Sequence, residues 1–271
     1  MGAPLEQYNK EHGESANLTP FDFGAKHWGD VEAIKKHQKK LQVPQDGFIG
    51  PRTIQAHKLA VALDNAGLKI DRESFVFQEN VSRRLNPNYP ISIVWHDTIT
   101  RTAKDCFNVL NKRGLSTHFI IPESGDEPIY QCADPCGNFC LHAGAFNQES
   151  IGVDVVCLLS PSYLTPFRLS DIERSKRIFK RSWSADPSKE VILYTDSQRS
   201  RILTLATALH TFFDIPKVIP YQLTGYGEKV DGIVDTLYHG SIAHAQWSST
   251  RWDGLQTVEI LSTNGWSEAK V

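Results

Sequence analysis

The chain has 271 residues, 40% of them hydrophobic and 22% charged, which suits one large folded domain or two smaller ones and excludes a mainly disordered state. Lys and Arg number 29 against 31 Asp and Glu, a net charge of −2 that argues against nucleic-acid binding by bulk positive charge. No apolar run reaches the roughly 18 residues of a membrane span, so no stable membrane insertion is expected. Residues 1–19 lack an apolar signal core, which implies synthesis in the cytoplasm without a signal peptide, and five cysteines in that setting do not suggest a disulfide framework.

In chain order, residues 1–25 read as a polar lead-in and residues 26–70 as a small helical unit. Val31, Ile34 and Leu41 share one helical face, with Gln38 on the same stripe. Asp46-Gly47 marks a tight turn, Gly50-Pro51 opens a second helix carrying Ile54, Leu59, Ala62 and Leu63, and Gly67 stops it. This unit has eight basic and four acidic residues, while the rest of the chain is net negative, a shift that supports a boundary. Residues 71–90 read as a linker ending in Asn86-Pro87-Asn88-Tyr89-Pro90.

An α/β pattern occupies residues 91–271. Strands are predicted at Ile91–Trp95, Thr117–Ile121 and Ile151–Cys157, and a helical stripe at Ala103, Cys106, Phe107 and Leu110. A longer helix carries Ile202, Leu205, Leu209, Phe212 and Phe213, while the charged stretch 160–200 gives no clear pattern.

Two histidines are placed where a rigid element could aim them. His96 directly follows the first strand, and His244 ends the short run Ser241-Ile242-Ala243; Asp253 comes nine residues later. Two histidines and a carboxylate make the ligand set of an open catalytic zinc site, although each alone also reads as an ordinary surface or core residue. Cys132, Cys136 and Cys140 recur every four residues, a spacing that fits free thiols better than a metal knuckle. His27, His37 and His57 read as scattered surface residues, and His210 as a helix residue without a ligand partner.

Four further segments stand in a telling order: Val94-Trp95-His96-Asp97-Thr98, Leu115 to Ile121 with His118, His142-Ala143-Gly144, and Asn147 through Ser150-Ile151-Gly152-Val153-Asp154. With the closing His244 and Asp253, the series over about 91–261 resembles the zinc-dependent N-acetylmuramoyl-L-alanine amidases of the type 2 family, whose fold phage endolysins and peptidoglycan recognition proteins share. That resemblance implies an α/β fold with a central mixed β-sheet flanked by helices. It also implies a Zn2+ ion held by His96, His244 and Asp253, with His239 the rival for the second ligand; the family accepts Asp or Cys at the third. The position of the family's proton-transferring Glu is Asp154, one methylene shorter, and where some phage members carry a Tyr this chain has Thr117. Arg251, two residues before Asp253, matches the cation that stabilises the oxyanion. His142, Asn147 and Thr117 match positions lining the substrate groove, whereas His118 is expected to pack beneath the site.

Residues Ile34 to Leu41 and Asp46 to Ala56 resemble a three-helix peptidoglycan-binding domain, with Gln38, Asp46-Gly47, Gly50 and Thr53 at its signature positions. Together the resemblances imply a modular, endolysin-like hydrolase of the amide between N-acetylmuramic acid and L-alanine. Its partner would be peptidoglycan, with a monomer the preferred state. The alternative is a non-catalytic peptidoglycan binder on the same fold.

Overall fold

The computed structural model describes residues 2–85, 90–158, 160–165, 168–180, 190–220, 238–247 and 253–269. Its helices are α1 (Gly2–Ser15), α2 (Val31–Leu41), α3 (Pro51–Asn65), α4 (Ala103–Lys112), α5 (Leu169–Ser175), α6 (Asp196–Phe213), α7 (His244–Trp247) and α8 (Leu255–Thr263). The strands are β1 (Ile70–Asp71), β2 (Val81–Arg83), β3 (Ser92–Ile99), β4 (Phe119–Ile121), β5 (Ile129–Gln131) and β6 (Asn138–Cys140). They continue with β7 (Ser150–Cys157), β8 (Ile178–Lys180), β9 (Glu190–Ile192), β10 (Val218–Pro220), β11 (Gly240–Ala243) and β12 (Ser267–Ala269).

A six-stranded sheet in the order β1-β5-β4-β7-β3-β11 forms the centre. The strands from β4 to β11 in that order run parallel, and β5 lies antiparallel to β4, so the sheet is mixed. β7 is buried along its whole length, which is why it reads as an apolar run: strands covered on both faces have no solvent side to mark. Ile93, Trp95, Phe119, Ile151 and Val153 pack one face against Ile202, Leu205 and Leu209 of α6 and Val258 of α8. On the other face Ile120 and Val156 meet Ala103 and Cys106 of α4. α6 begins at a capping box, where Thr195 accepts from the Gln198 N–H and the Gln198 carboxamide oxygen accepts from Thr195 N–H.

β3 runs further than its apolar stretch predicts. It continues through His96, Asp97 and Thr98 to Ile99, so His96 lies within the strand instead of after it. β7 pairs with it up to Ile99, and ladder hydrogen bonds carry the strand where side-chain patterning does not.

The N-terminal residues also depart from expectation. The region read as a lead-in contains α1, and this helix, with α2 and α3, supplies the third member of the helical unit. Asn9, fully buried, donates to the carbonyls of Trp28 and Gly47 and accepts from Ile49 N–H. α1 is thus anchored by a satisfied polar side chain and not by an apolar stripe. Gln38 is spent in the same way: it donates to Asp46 Oδ1 and the Phe48 carbonyl at 2.9 Å and accepts from Gly47 N–H. His57 is buried and His37 half-buried, with ring nitrogens 3.1 Å apart and Phe23 packed against both, so they are not scattered surface residues.

The helical unit shares its core with the sheet. Leu59, Leu63 and Leu68 join the cluster around α6, and Arg52 reaches across to Asp134 at 3.0 Å and Asn138 at 2.8 Å. The residues read as a linker are built into the same body: β1 extends the central sheet, β2 pairs with β6, and Phe77 is buried beside Cys132. Arg84 donates to the carbonyls of Gln148 and Ser150, while residues 86–89 lie outside the described ones. Cys132 and Cys140 are buried free thiols and Cys136 a part-buried one. Among the described residues no helix is long and apolar enough to cross a membrane.

Two expectations follow. Leu63→Ala should cost roughly 2–5 kcal/mol and lower the urea midpoint of the whole chain, since the site is fully buried in a shared core. Burial, and the charge of His57, depress His37 to about 4, and burial depresses His57. The unfolded chain therefore takes up protons first, so stability present above about pH 6.5 should fall as the pH drops towards 4. His37→Gln, unfolded in urea at pH 7 and pH 5, should lose less of its midpoint between the two than the parent.

Candidate metal centre

The register of three strands assembles the site. Ala243 pairs with Trp95 and Trp95 with Val153, and one residue on His96 pairs with Asp154 while His244 follows the end of β11. His244, His96 and Asp154 thus stand on neighbouring strands at one level of the sheet, towards the carboxyl ends of its parallel strands, where open α/β sheets bind ligands. Asp253 arrives from the turn before α8.

Three donor atoms converge there. His96 Nδ1 lies 3.0 Å from Asp253 Oδ2 and 3.0 Å from His244 Nδ1, and His244 Nδ1 lies 3.2 Å from the same carboxylate oxygen. The edges of a tetrahedral zinc site with bonds of 2.0–2.1 Å are about 3.3 Å, so this triangle is within a few tenths of an ångström of one coordination face. The three residues are all buried. The donor set is two imidazoles and one carboxylate, which fits zinc with a position left open. Against the pull of burial, the contacts with His244 and His96 hold the Asp253 carboxyl well below the usual carboxylate range, so it is an anion ready to ligate. His239, the rival ligand, is exposed and outside this cluster.

Residues next to the ligands tie the three segments together. Asp97, which follows His96, accepts from the N–H of Gly254, which follows Asp253, at 2.7 Å. Tyr194 donates its hydroxyl to the other Asp97 oxygen. Burial pushes the Asp97 carboxyl up to about 7 against these two hydrogen bonds. Gly254 has φ +91°, and a Cβ there would stand 2.1 Å from the Trp95 carbonyl oxygen, so only glycine lets this turn approach β3 so closely.

A pocket of about 260 Å³ opens over the triangle, lined by His96, His142, Asp154, His244 and Asp253 and walled by Val109, Leu110 and Arg113 from the α4 side. Burial raises the Asp154 carboxyl, against His96 and a hydrogen bond from Thr117. Thr117 itself is fully buried and reaches the site through Asp154. Asn147 turns its side-chain oxygen to the backbone N–H groups of His142 and Ala143, at 2.9 and 2.7 Å. His118 lies beneath, accepting from Gly152 N–H on Nδ1 and facing the Asn138 carbonyl with Nε2; burial lowers it to about 3. His210 is a core residue between the Ile215 carbonyl and Ser241.

The family model described as N-acetylmuramoyl-L-alanine amidase matches residues 86–246, more than half of the chain. The chain belongs to the N-acetylmuramoyl-L-alanine amidase family. A comparison with curated proteins gave no match. Among solved structures the chain is similar to the N-acetylmuramoyl-L-alanine amidase LysC from Clostridium intestinale URNW, at 16% identity and a TM-score of 0.35 over 62% of this chain and 78% of that one. It is also similar to the Staphylococcus aureus hydrolase AmiA in complex with its ligand, at 13% identity and 0.37 over 75% and 88%. A third is the Escherichia coli amidase AmiD complexed with anhydro-N-acetylmuramic acid-L-Ala-D-gamma-Glu-L-Lys, at 17% identity and 0.34 over 50% and 49%.

Within this amidase domain, His96, His244, Asp253, Asp154 and His142 come together, while Arg251 lies outside the described residues. Asp97, Tyr194, Ser150 and Gly254 join the site without a role predicted from the sequence. Asp97 was visible beside His96, but Tyr194 falls in the stretch that gave no pattern. Gly254→Ala should destabilise the fold by at least about 1–3 kcal/mol and weaken binding of a divalent metal, read from the urea midpoint and a metal titration. A variant with the parent's midpoint and metal affinity would remove this constraint.

Proposed function

We propose that the protein is a zinc-dependent amidase that hydrolyses the bond between the lactyl group of N-acetylmuramic acid and the L-alanine of the stem peptide. The observation that carries this reading is the triangle of His96 Nδ1, His244 Nδ1 and Asp253 Oδ2, set beside a buried carboxylate in a chain of this family. These three residues would hold the ion. The chemistry it would supply when bound is Lewis acidity towards the scissile carbonyl and a lowering of the pKa of water to about 7.

The chain's own groups do the rest. Asp154 takes the proton of the attacking water and delivers it to the nitrogen of the departing alanine; burial raises its carboxyl, which suits a group that must hold that proton in transit. Thr117 fixes the orientation of Asp154. Arg251, beside the third ligand in sequence, is the cation proposed to face the developing oxyanion. Val109 and Leu110 supply an apolar wall that limits water around the scissile bond. The helical unit is proposed to hold the enzyme on peptidoglycan, in the manner of a modular endolysin, which raises local substrate concentration without new catalytic contacts. Its support is the sequence resemblance and the excess of basic over acidic residues within 26–70, since Gln38, Asp46 and Thr53 are engaged in holding the turn.

Purified walls test the reaction. An amidase frees alanine amino termini, a glycosidase frees reducing sugar ends, and a binder frees neither. Chelation should abolish amine release and added zinc restore it; activity that survives exhaustive chelation would exclude the metal mechanism. His244→Ala should lose both zinc and turnover. Asp154→Asn should keep zinc and lose roughly 10²–10⁴-fold in kcat, and near-parent turnover would remove Asp154 from the proton path.

A further inference from the structure

We propose that His142 is a positioning residue that fixes the tautomer of His96, with both of its ring nitrogens committed to protein partners. The inference rests on the metal-centre reading above. It starts from a chain of three hydrogen bonds whose direction is set at its far end. The Phe146 carbonyl oxygen can only accept, and Ser150 Oγ lies 2.6 Å from it, so the hydroxyl proton points there. Ser150 has no second proton, and its Oγ must accept from His142 Nε2, 3.2 Å away. A neutral imidazole with its proton on Nε2 has a bare Nδ1. That atom lies 3.1 Å from His96 Nε2 and accepts from it. The His96 proton is thereby placed on Nε2, and its Nδ1 lone pair faces Asp253 and His244. A histidine that ligates a metal through one nitrogen does need a fixed acceptor for the other.

The surroundings hold the His142 ring where this requires it. Asn147 accepts both backbone N–H groups of the 142–143 turn. Gly152 leaves open the space over which the ring lies, since a Cβ there would sit 2.7 Å from His142 Cγ. Ser150 is fully buried, and Arg84 grips its carbonyl at 3.0 Å. The resemblance to the family places His142 in the substrate groove; the geometry leaves neither ring nitrogen for a substrate hydrogen bond.

Zinc affinity, measured by competition with a chromogenic chelator, separates the two roles. His142→Ala should weaken zinc binding about 10–100-fold. His142→Asn should recover much of that loss, because its carboxamide oxygen can still accept from His96, and Ser150→Ala should weaken binding in the same direction. Kinetics at saturating zinc should show kcat and KM moving less than zinc affinity. A zinc affinity for His142→Ala within about twofold of the parent, with a raised KM, would overturn the proposal and make His142 a substrate contact. If His142→Ala does not fold, 15N spectra of the full-length parent decide. Protons on Nε2 of both His96 and His142 support the relay, and a His142 protonated on Nδ1 overturns it. A parent that binds no zinc would instead overturn the metal-centre reading, and the same spectra of the metal-free chain would still judge the relay.

Discussion

Three lone-pair donors within 3.2 Å of one another are the constraint on which the rest of this molecule turns. Two imidazole nitrogens and a carboxylate oxygen that close are costly to bury without a cation or proton between them. They come from positions 96, 244 and 253, so the chain has to bring distant segments to one point and hold them there. The parallel register of β11, β3 and β7 sets two of the donors, and the Asp97–Gly254 hydrogen bond sets the third. A cation at this point offsets the repulsion among the donors, which couples occupancy of the site to stability of the fold around it.

Asp154 is the direct partner of His96 on the adjoining strand, so its side chain begins at the level of the first histidine. Polar residues around it are matched to neighbours: Thr117 to Asp154, Asn147 to the 142–143 backbone, Ser150 to His142. Buried polar groups without partners would cost more than an apolar core gains, and here the partners also orient the chemistry.

Much of this was legible in the sequence, for physical reasons that differ by element. β7 and α6 announced themselves through apolar patterning, because burial on one or both faces leaves that trace. The candidate site residues stand out through a series of short motifs, which fall on β3, β4 and β7 and just after β11. Apolar patterning stops short of the end of β3 because His96, Asp97 and Thr98 are polar residues inside a buried strand. α1 leaves no such trace because a single satisfied asparagine anchors it, and the linker leaves none because its very short strands pair with segments far away in sequence. His37 and His57 looked like surface residues because nothing in a linear pattern shows two rings meeting across twenty positions.

The burial of Leu59, Leu63 and Leu68 in the core of the sheet has a bearing on how such a chain can be rearranged. Helix α3 belongs to two bodies at once, so a cut placed near residue 70 would strip the hydrolase of part of its own interior. Swapping the N-terminal module for a foreign one calls for a graft that keeps those three leucines and the Arg52–Asp134 tie, or for a redesigned surface over α6. Evolution of this architecture by simple shuffling of ready-made cassettes would have met the same obstacle.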